Sequence, residues 1–222
     1  MTIVYVVGEE SEELRYSLRS LINYPHDNVV LVGDLPRFIN TQHVHFIKGN
    51  RYPNKHRNTT DNIRLACLSD KVSDDFVLFN DDFFITAPVT PQNYHRGSVD
   101  DNYNKMPNDT YWQDARLTQA LTGLQGMLSY DLHVPMIMNK QNYLDMLVLF
   151  KDEMKQQKRF HKRSVYGNLF IKDAEYMEDV KIKEALEHIK TPYVSSNHYS
   201  FNSGYLGQEI RYMFQEPSKY EK

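Results

Sequence analysis

The sequence holds few of the residues that build disulfide or zinc frameworks, since its 222 residues include a single cysteine, Cys67. One cysteine excludes an intramolecular disulfide and any zinc site made of paired cysteines. It fits a reducing compartment, for which we expect the cytoplasm. No apolar run approaches the roughly 20 residues of a membrane-spanning helix, so we expect no membrane span. The apolar start, Met1 to Val7, is short and is followed by two glutamates, which fits a first strand and not a signal peptide.

The motifs of several large enzyme classes are missing as well. The chain has no Walker-type phosphate loop, no GxGxxG and no GxSxG. These absences argue against nucleoside triphosphatases, dinucleotide-binding dehydrogenases and α/β-hydrolases. The dense His and Asp clusters of metal-dependent phosphohydrolases are also lacking. A net charge of −3 argues against a molecule built as a whole to clamp nucleic acid.

What the chain does contain is an alternation of strand-like and helix-like segments. Short β-branched or apolar runs predict buried strands, and apolar residues at helical spacing predict helices between them. The order strand, helix, strand, strand, helix, strand predicts an α/β fold with a central, mostly parallel sheet flanked by helices. The predicted strands are Ile3–Val7, Asn28–Val32, Val44–Ile47 and Phe76–Phe79, and the helices follow Glu10 and span Thr60–Val72.

The second half of the sequence is less regular. Gly97 to Asp109 is rich in Gly, Asp, Asn and Pro, which predicts a long loop of the kind that forms lids or binding loops. Val180 to Ile189 predicts a charged helix, and Gly204 to Phe214 predicts the last helix. The sequence shows no repeat and no linker, so we expect one domain over residues 1–222.

Two adjacent carboxylates follow the most strand-like segment, in the stretch DDFVLFNDDFFITAPV. Asp81 and Asp82 come directly after Phe76–Phe79, at the carboxyl end of a strand, where open α/β sheets bind ligands. Their oxygens suit a hard divalent cation such as Mg²⁺ or Mn²⁺. A solvated turn is the alternative, because Asn and Asp are common in turns.

Other polar positions each allow a functional and a structural interpretation. Asp61 and Arg64 lie one helical turn apart and either face a common ligand or form an exposed ion pair. Arg15 lies near a helix N-terminus, where a phosphate binds well, or on a solvated face. His133 in YDLHVPM is either a general base or a structural histidine. His198, in a polar loop before the last helix, could reach a site.

The blocks in this order resemble the Stealth family, which includes capsular polysaccharide phosphotransferases and the lysosomal-enzyme GlcNAc-phosphotransferase. The matching segments are ELRYSLRSL from Glu13, LPRFIN from Leu35, NDDFF from Asn80, His133-Val134-Pro135 with Arg163 further on, and Phe214–Glu221. The last segment resembles a tail of short, often phage-encoded, glycosyltransferase-like proteins. The family's N-terminal block YTWVDG-x-D is absent, and Val4–Gly8 stands in its place.

The resemblance implies a GT-A-like fold and a set of site residues. Residues 1–90 would bind the nucleotide sugar and the metal, and residues 91–222 would bind the acceptor and complete the catalytic site. The donor would be a nucleotide sugar, with a UDP-sugar expected, and the cofactor Mn²⁺ or Mg²⁺. The implied metal ligands are Asp81, Asp82 and His198, the catalytic residues are His133, Asp82 and Arg163, and the donor contacts are Tyr5, Gly8, Arg15, Asp61, Arg64 and Asn80.

Three functions stay open at this point. Glycosyl transfer to a hydroxyl is favoured, because the missing block helps hold the nucleotide sugar in the sugar-1-phosphate transferases of the Stealth family. Sugar-1-phosphate transfer with release of a nucleoside monophosphate is the alternative. A non-catalytic protein that binds a sugar or nucleotide is the third. The basic segments Lys48–Arg57 and Lys155–Arg163 would suit an anionic acceptor such as a teichoic-acid-like polymer or modified DNA.

Overall fold

Nine strands and nine α-helices follow one another in the computed structural model, which describes residues 1–222. The strands are β1 (Thr2–Val7), β2 (Asn28–Gly33), β3 (His45–Lys48), β4 (Asp75–Phe79), β5 (Phe83–Ile85), β6 (Tyr94–His95), β7 (Met136–Asn139), β8 (Glu175–Tyr176) and β9 (Tyr193–Ser195). The helices are α1 (Glu12–Ser20), α2 (Lys55–Cys67), α3 (Val99–Lys105), α4 (Thr110–Thr122), α5 (Lys140–Leu149), α6 (Glu153–Gln156), α7 (Lys162–Phe170), α8 (His198–Ser203) and α9 (Tyr205–Met213).

The central sheet has five strands in the order β3-β2-β1-β4-β7. The first four are parallel to one another, and β7 runs antiparallel to β4. Strands of a parallel sheet are covered on both faces, which explains why β1, β2 and β4 are almost continuously apolar. The predicted α/β class with a mostly parallel sheet is confirmed.

Two hydrophobic clusters fill the two faces of this sheet. On one face, Leu14 and Leu18 of α1 pack with Ile3 and Tyr5 of β1. On the other face, α2, α4, α5 and α7 contribute to a cluster that includes Val4 and the fully buried part of α2 around Ile63. The alternation of side chains along each strand therefore divides the core into two layers.

Three helix predictions differ from the structure in instructive ways. Helix α2 begins at Lys55, before the predicted Thr60, because the Asn54 side chain accepts hydrogen bonds from two backbone amides of its first turn. The predicted loop at 97–109 contains α3, capped by Ser98. The helix predicted for 180–189 is wrong: residues 180–182 are extended and hydrogen-bonded to Ser195.

The C-terminal segment is fastened to α1. Arg19 donates two hydrogen bonds of 2.8 Å to the Glu221 carboxylate and two more to the carbonyls of Phe214 and Gln215. Both side chains of the ion pair are almost completely buried. This pairing places the segment 214–221 against α1, away from the carboxyl ends of the strands.

The α-helices of the chain are 4 to 13 residues long. None of them combines the length and the apolar composition that crossing a bilayer needs.

Candidate functional site

The turn at Asn80–Asp82 is held from both sides at the carboxyl end of β4. The Phe83 amide donates to the Asn80 carbonyl (3.4 Å), and β5 then pairs with β9. The Ser196 amide donates to the backbone carbonyl of Asp82 (3.2 Å). The two carboxylates are therefore fixed by backbone contacts at the sheet edge where the sequence predicted a site.

These carboxylates open into a polar cleft of about 360 Å³ that no hydrophobic residue lines. Its walls come from the start of α1, the turn after β4, the segment before β9 and the start of α8. The lining residues are Ser11, Glu13, Asp81, Asp82, Lys181, Ser196, Asn197 and His198. Three carboxylates against one ammonium leave an excess of negative charge, which suits a cation. We call this cavity the acidic cleft.

Asp82 is only half satisfied by the protein. Its Oδ2 accepts from the Lys181 ammonium (2.9 Å) and from the Ser195 hydroxyl (3.2 Å). Its Oδ1 is buried and has no hydrogen-bond partner, and the Ser196 hydroxyl is buried and unpartnered too. Unpaired buried polar atoms of this kind are rare in folded proteins and call for a ligand, an ion or a water.

The surroundings of Asp81 disfavour its ionised form. Burial first, and then the neighbouring carboxylates of Asp82 and Glu13, raise its pKa to about 6, and no side chain of opposite charge pairs with it. A carboxylate in this position gains most from an approaching cation.

These atoms fit a divalent cation. Mg²⁺ in enzymes is commonly bound by one or two carboxylates, with water and substrate phosphates completing the shell, and the free Oδ1 of Asp82 beside Asp81 supplies that pair. No three His, Cys, Asp or Glu side chains converge as a full ligand set. His198 borders the acidic cleft, but its side chain is 92% exposed and lies 3.8 Å from Glu13.

His133 lies on the loop that enters β7 and is not among the residues that line the acidic cleft. Its ring meets Phe83 edge to face at 6.4 Å, and Phe83 directly follows Asp82. Its Nδ1 lies 2.8 Å from the Asp179 carboxylate, which the sequence analysis did not identify. The histidine is therefore oriented by a carboxylate, as a general base would be.

Arg163, at the start of α7, fixes the loop that carries His133. Its guanidinium donates to the carbonyls of Leu132 (3.0 Å) and Val134 (2.6 Å), on either side of His133. Burial lowers its pKa, and the carboxylates of Asp131, Asp179 and Asp82 oppose this effect. Arg163, implied as a catalytic residue by the resemblance, thus uses at least two of its donors on protein carbonyls.

A second histidine–carboxylate pair secures the start of the same loop. The Asp131 carboxylate lies 3.0 Å from the Nδ1 of buried His161 and accepts from the Ser164 hydroxyl at 2.6 Å. Burial would raise the pKa of Asp131, but these hydrogen bonds outweigh it and hold the pKa far below its usual range. Residues 131–134 are consequently anchored at several points by α7 and the residue before it.

The structure does not bring all predicted donor contacts to the acidic cleft. Tyr5 is fully buried in the core, with its hydroxyl 2.9 Å from that of Ser17. Gly8 is exposed directly after β1, with open space beside it. Arg15 lies 4.5 Å above the Phe38 ring, in a neighbouring depression that shares Ser11 with the acidic cleft.

The remaining predicted contacts lie in the turn and on α2. Asn80 forms the turn itself. Asp61 and Arg64 pair with each other at 2.8 Å, and Asp61 also accepts from the Asn50 side chain at 2.7 Å. The pair is therefore an ion pair beside the loop that follows β3, and a common ligand for the two side chains stays a prediction.

Sequence reasoning missed four residues of the site: Glu13, Asp179, Lys181 and Ser196. Glu13 lies within a segment that matched the family but had no role assigned. Ser196 lies in the polar loop from which only His198 was selected. Asp179 directly precedes the segment predicted as helical, and Lys181 lies within it. No spacing pattern connects them to their partners, which lie 46 and 99 positions upstream.

The fold is that of known glycosyltransferases. The galactosyltransferase LgtC, in complex with donor and acceptor sugar analogs, superimposes with a TM-score of 0.58 over 99% of this chain and 97% of its own, at 10% identity. An active-site mutant of LgtC gives a TM-score of 0.51 over 82% of this chain and 75% of its own, at 12% identity. No protein-family model and no curated protein matches the sequence. At such identities the likeness concerns the fold alone, which is the predicted GT-A-like α/β fold.

Proposed function

We propose that the protein is a metal-dependent glycosyltransferase that moves a sugar from a nucleotide-diphospho-sugar to a hydroxyl acceptor. The observation that carries this proposal is the acidic cleft at the carboxyl end of β4, where the Oδ1 of Asp82 has no partner beside Asp81. Its position in a GT-A-like sheet, and the donor and acceptor sugars held by the galactosyltransferase LgtC, support it.

The residues divide into three proposed roles. Asp81 and Asp82, with His198 at the rim, would hold Mn²⁺ or Mg²⁺, which neutralises charge on the departing diphosphate when bound. Gly8 and Asn80 lie at neighbouring strand ends, where the donor would contact backbone and amide groups. His133 would accept the proton of the acceptor hydroxyl at its Nε2.

Arg15, Asp61 and Arg64 would contact the donor only at the periphery. Arg15 lines the depression beside Phe38 and not the acidic cleft, and Asp61 and Arg64 pair with each other. Tyr5 supports β1 from within the core and is not among the contacts we propose.

The nucleotide product distinguishes the two transfer reactions. We expect incubation with a UDP-sugar, Mn²⁺ and a sugar acceptor to release UDP, because the acceptor attacks the anomeric carbon. Release of UMP would instead establish sugar-1-phosphate transfer, which the Stealth resemblance favours. Stabilisation of the fold by UDP and Mn²⁺ without any product would establish a binding protein. Chromatography of the nucleotides, with a thermal melt in parallel, reads out all three.

For the acceptor we propose an anionic polymer. The two basic segments lie side by side, since the Asn54 side chain donates to the Lys158 carbonyl at 3.3 Å. Burial, and then the charges of Lys162, Arg159 and Lys55, lower the pKa of His56 to about 4. Arg51, Lys155 and Arg159 of the two segments pair with carboxylates, whereas Lys55, Lys158 and Lys162 do not.

Binding of an anionic acceptor should therefore depend on salt. We expect the affinity for poly(glycerol phosphate) or hydroxymethylated DNA to fall by roughly tenfold or more between about 50 and 200 mM salt. A Lys55→Gln/Lys158→Gln protein should lose most of that dependence. A Lys105→Gln/Lys172→Gln protein, with the same change in charge on exposed residues elsewhere, should behave as the wild type. Salt-independent binding would refute the anionic acceptor.

A further inference from the structure

The contact between His133 and Asp179 is more specific than an ion pair. The imidazole Nδ1 lies 2.8 Å from one carboxylate oxygen and 3.0 Å from the other. The backbone amide of His133 donates to the first of these oxygens as well, at 3.2 Å. Asp179 therefore fixes both the ring and the main chain of the histidine.

This geometry selects a tautomer. An ionised carboxylate accepts hydrogen bonds and has none to donate, so the neutral imidazole must carry its proton on Nδ1. The Nε2 then has a free lone pair, and no protein group bonds to it. Burial would raise the pKa of Asp179, but the hydrogen bond from His133, the charge of His133 when protonated and then the charge of Arg96 hold it at about 2. The carboxylate is consequently ionised throughout the physiological range.

Arg96 completes the arrangement from the far side. Its guanidinium lies 3.4 Å from Asp179 Oδ2, and it stacks 4.6 Å above the ring of buried Trp112. The stacking restricts where the guanidinium can go. Oδ2 thus lies between Arg96 and the imidazole, while Oδ1 faces both the ring and the backbone amide of His133.

The segment that carries Asp179 is itself tied down at both ends. Glu175–Tyr176 pairs with β6, and the Ile182 amide donates to the Ser195 carbonyl at 2.9 Å. Between these anchors lies Lys181, whose ammonium bonds Asp82 at 2.9 Å. One extended strap, residues 175–182, thus contacts both the acidic cleft and the histidine.

We propose that Asp179, backed by Arg96, is a positioning residue that holds His133 as its Nδ1–H tautomer and so keeps Nε2 available as the base. This inference rests on the proposed function for its catalytic consequence, whereas its structural part concerns the imidazole alone. It assigns a role to residues that neither the motifs nor the resemblance identified.

Nuclear magnetic resonance of the imidazole nitrogens tests the structural part without any assay of activity. In Asp179→Asn one amide oxygen replaces two carboxylate oxygens, and the charged guanidinium of Arg96 competes for it against the backbone amide of His133. With the oxygen on Arg96, the amide NH₂ faces the imidazole and drives its proton to Nε2. We expect the ¹⁵N shifts of His133 to change from the Nδ1–H to the Nε2–H pattern, with the resonance assigned by its loss in His133→Gln. Asp173→Asn, an exposed change just before the same strap, should leave the pattern unchanged.

Kinetics test the catalytic part. We expect Asp179→Asn to lower kcat by about 100-fold, a typical contribution of a correctly placed base, with the donor KM changed less than about threefold. Because Asp179 acts through His133, the double variant Asp179→Asn/His133→Gln should be no slower than His133→Gln alone. A thermal melt confirms that each variant is folded.

The outcomes separate this inference from the proposed function. A wild type that transfers no sugar would refute the proposed function, while the nitrogen shifts would still decide whether Asp179 sets the tautomer. An unchanged tautomer in folded Asp179→Asn, or an unchanged kcat in an active enzyme, would overturn the inference.

Discussion

An Asp81→Asn protein is expected to lose transfer activity by roughly a thousandfold, equivalent to about 4 kcal/mol of transition-state stabilisation. In the absence of metal, the same protein is expected to be more stable than the wild type. The two effects have one cause. The carboxylate lies in the acidic cleft beside Asp82 and Glu13, and the one ammonium there, that of Lys181, bonds Asp82, so a bound ion would balance its charge.

The stabilising part follows from the raised pKa of Asp81. Because the pKa in the folded protein, about 6, lies above the ordinary 3.8, the ionised group opposes folding at pH 7. The penalty is about 1 to 2 kcal/mol once partial exposure is allowed for. An uncharged amide of the same shape avoids it, so the melting temperature should rise by about 2 to 6 °C in a chain of this length.

The measurement pairs a melt with an assay. The wild type and Asp81→Asn are melted in EDTA and again with Mn²⁺ and UDP. The added ligands should raise the melting temperature of the wild type and leave that of Asp81→Asn unchanged. Asp74→Asn makes the same change in charge at the exposed residue directly before β4. It should match the wild type in both the melt and the activity assay. Full activity in Asp81→Asn would remove this residue from the metal site.

The part of this site that could be predicted lies where local pattern and topology agree. Asp81 and Asp82 follow a buried apolar strand, and parallel strands end at a common edge, so their position followed from the order of elements. The absence of a partner for Oδ1 of Asp82 could not be predicted from the order of elements. It depends on how Ser195 and Lys181 share the other oxygen of that carboxylate. Contacts over a hundred residues leave no periodic signal in one sequence.

The incorrect prediction of a helix at 180–189 has the same cause, because contacts between residues distant in sequence override a local pattern. Its charged residues at helical spacing are a weak preference that tertiary contacts override. Here the Ile182 amide donates to the Ser195 carbonyl and the Val180 carbonyl accepts from the Ser195 amide, and that pairing extends the chain. The strap carrying Asp179 and Lys181 exists because β9 offers an edge, which composition does not reveal.

Arg163→Met is expected to destabilise the fold by about 2 to 4 kcal/mol and to lower kcat by roughly 100-fold. The guanidinium satisfies the carbonyls of Leu132 and Val134, both residues being 2% exposed. Methionine fills the space without a donor, so two enclosed carbonyls lose their partner. The loop that carries His133 then loses the two guanidinium hydrogen bonds that hold it on either side of the histidine.

The stability readout separates this role from direct binding of phosphate by Arg163. A residue kept only for a ligand leaves the free protein as stable, or more stable, when it is replaced. Denaturant titration of Arg163→Met without ligands should therefore show a lower midpoint, whereas Arg37→Met, at a side chain 95% exposed, should not. Arg163→Lys should recover only part of the loss, because one ammonium does not reproduce a fork that spans two carbonyls. An Arg163→Met protein with wild-type stability and weakened donor binding would instead assign the guanidinium to the phosphate.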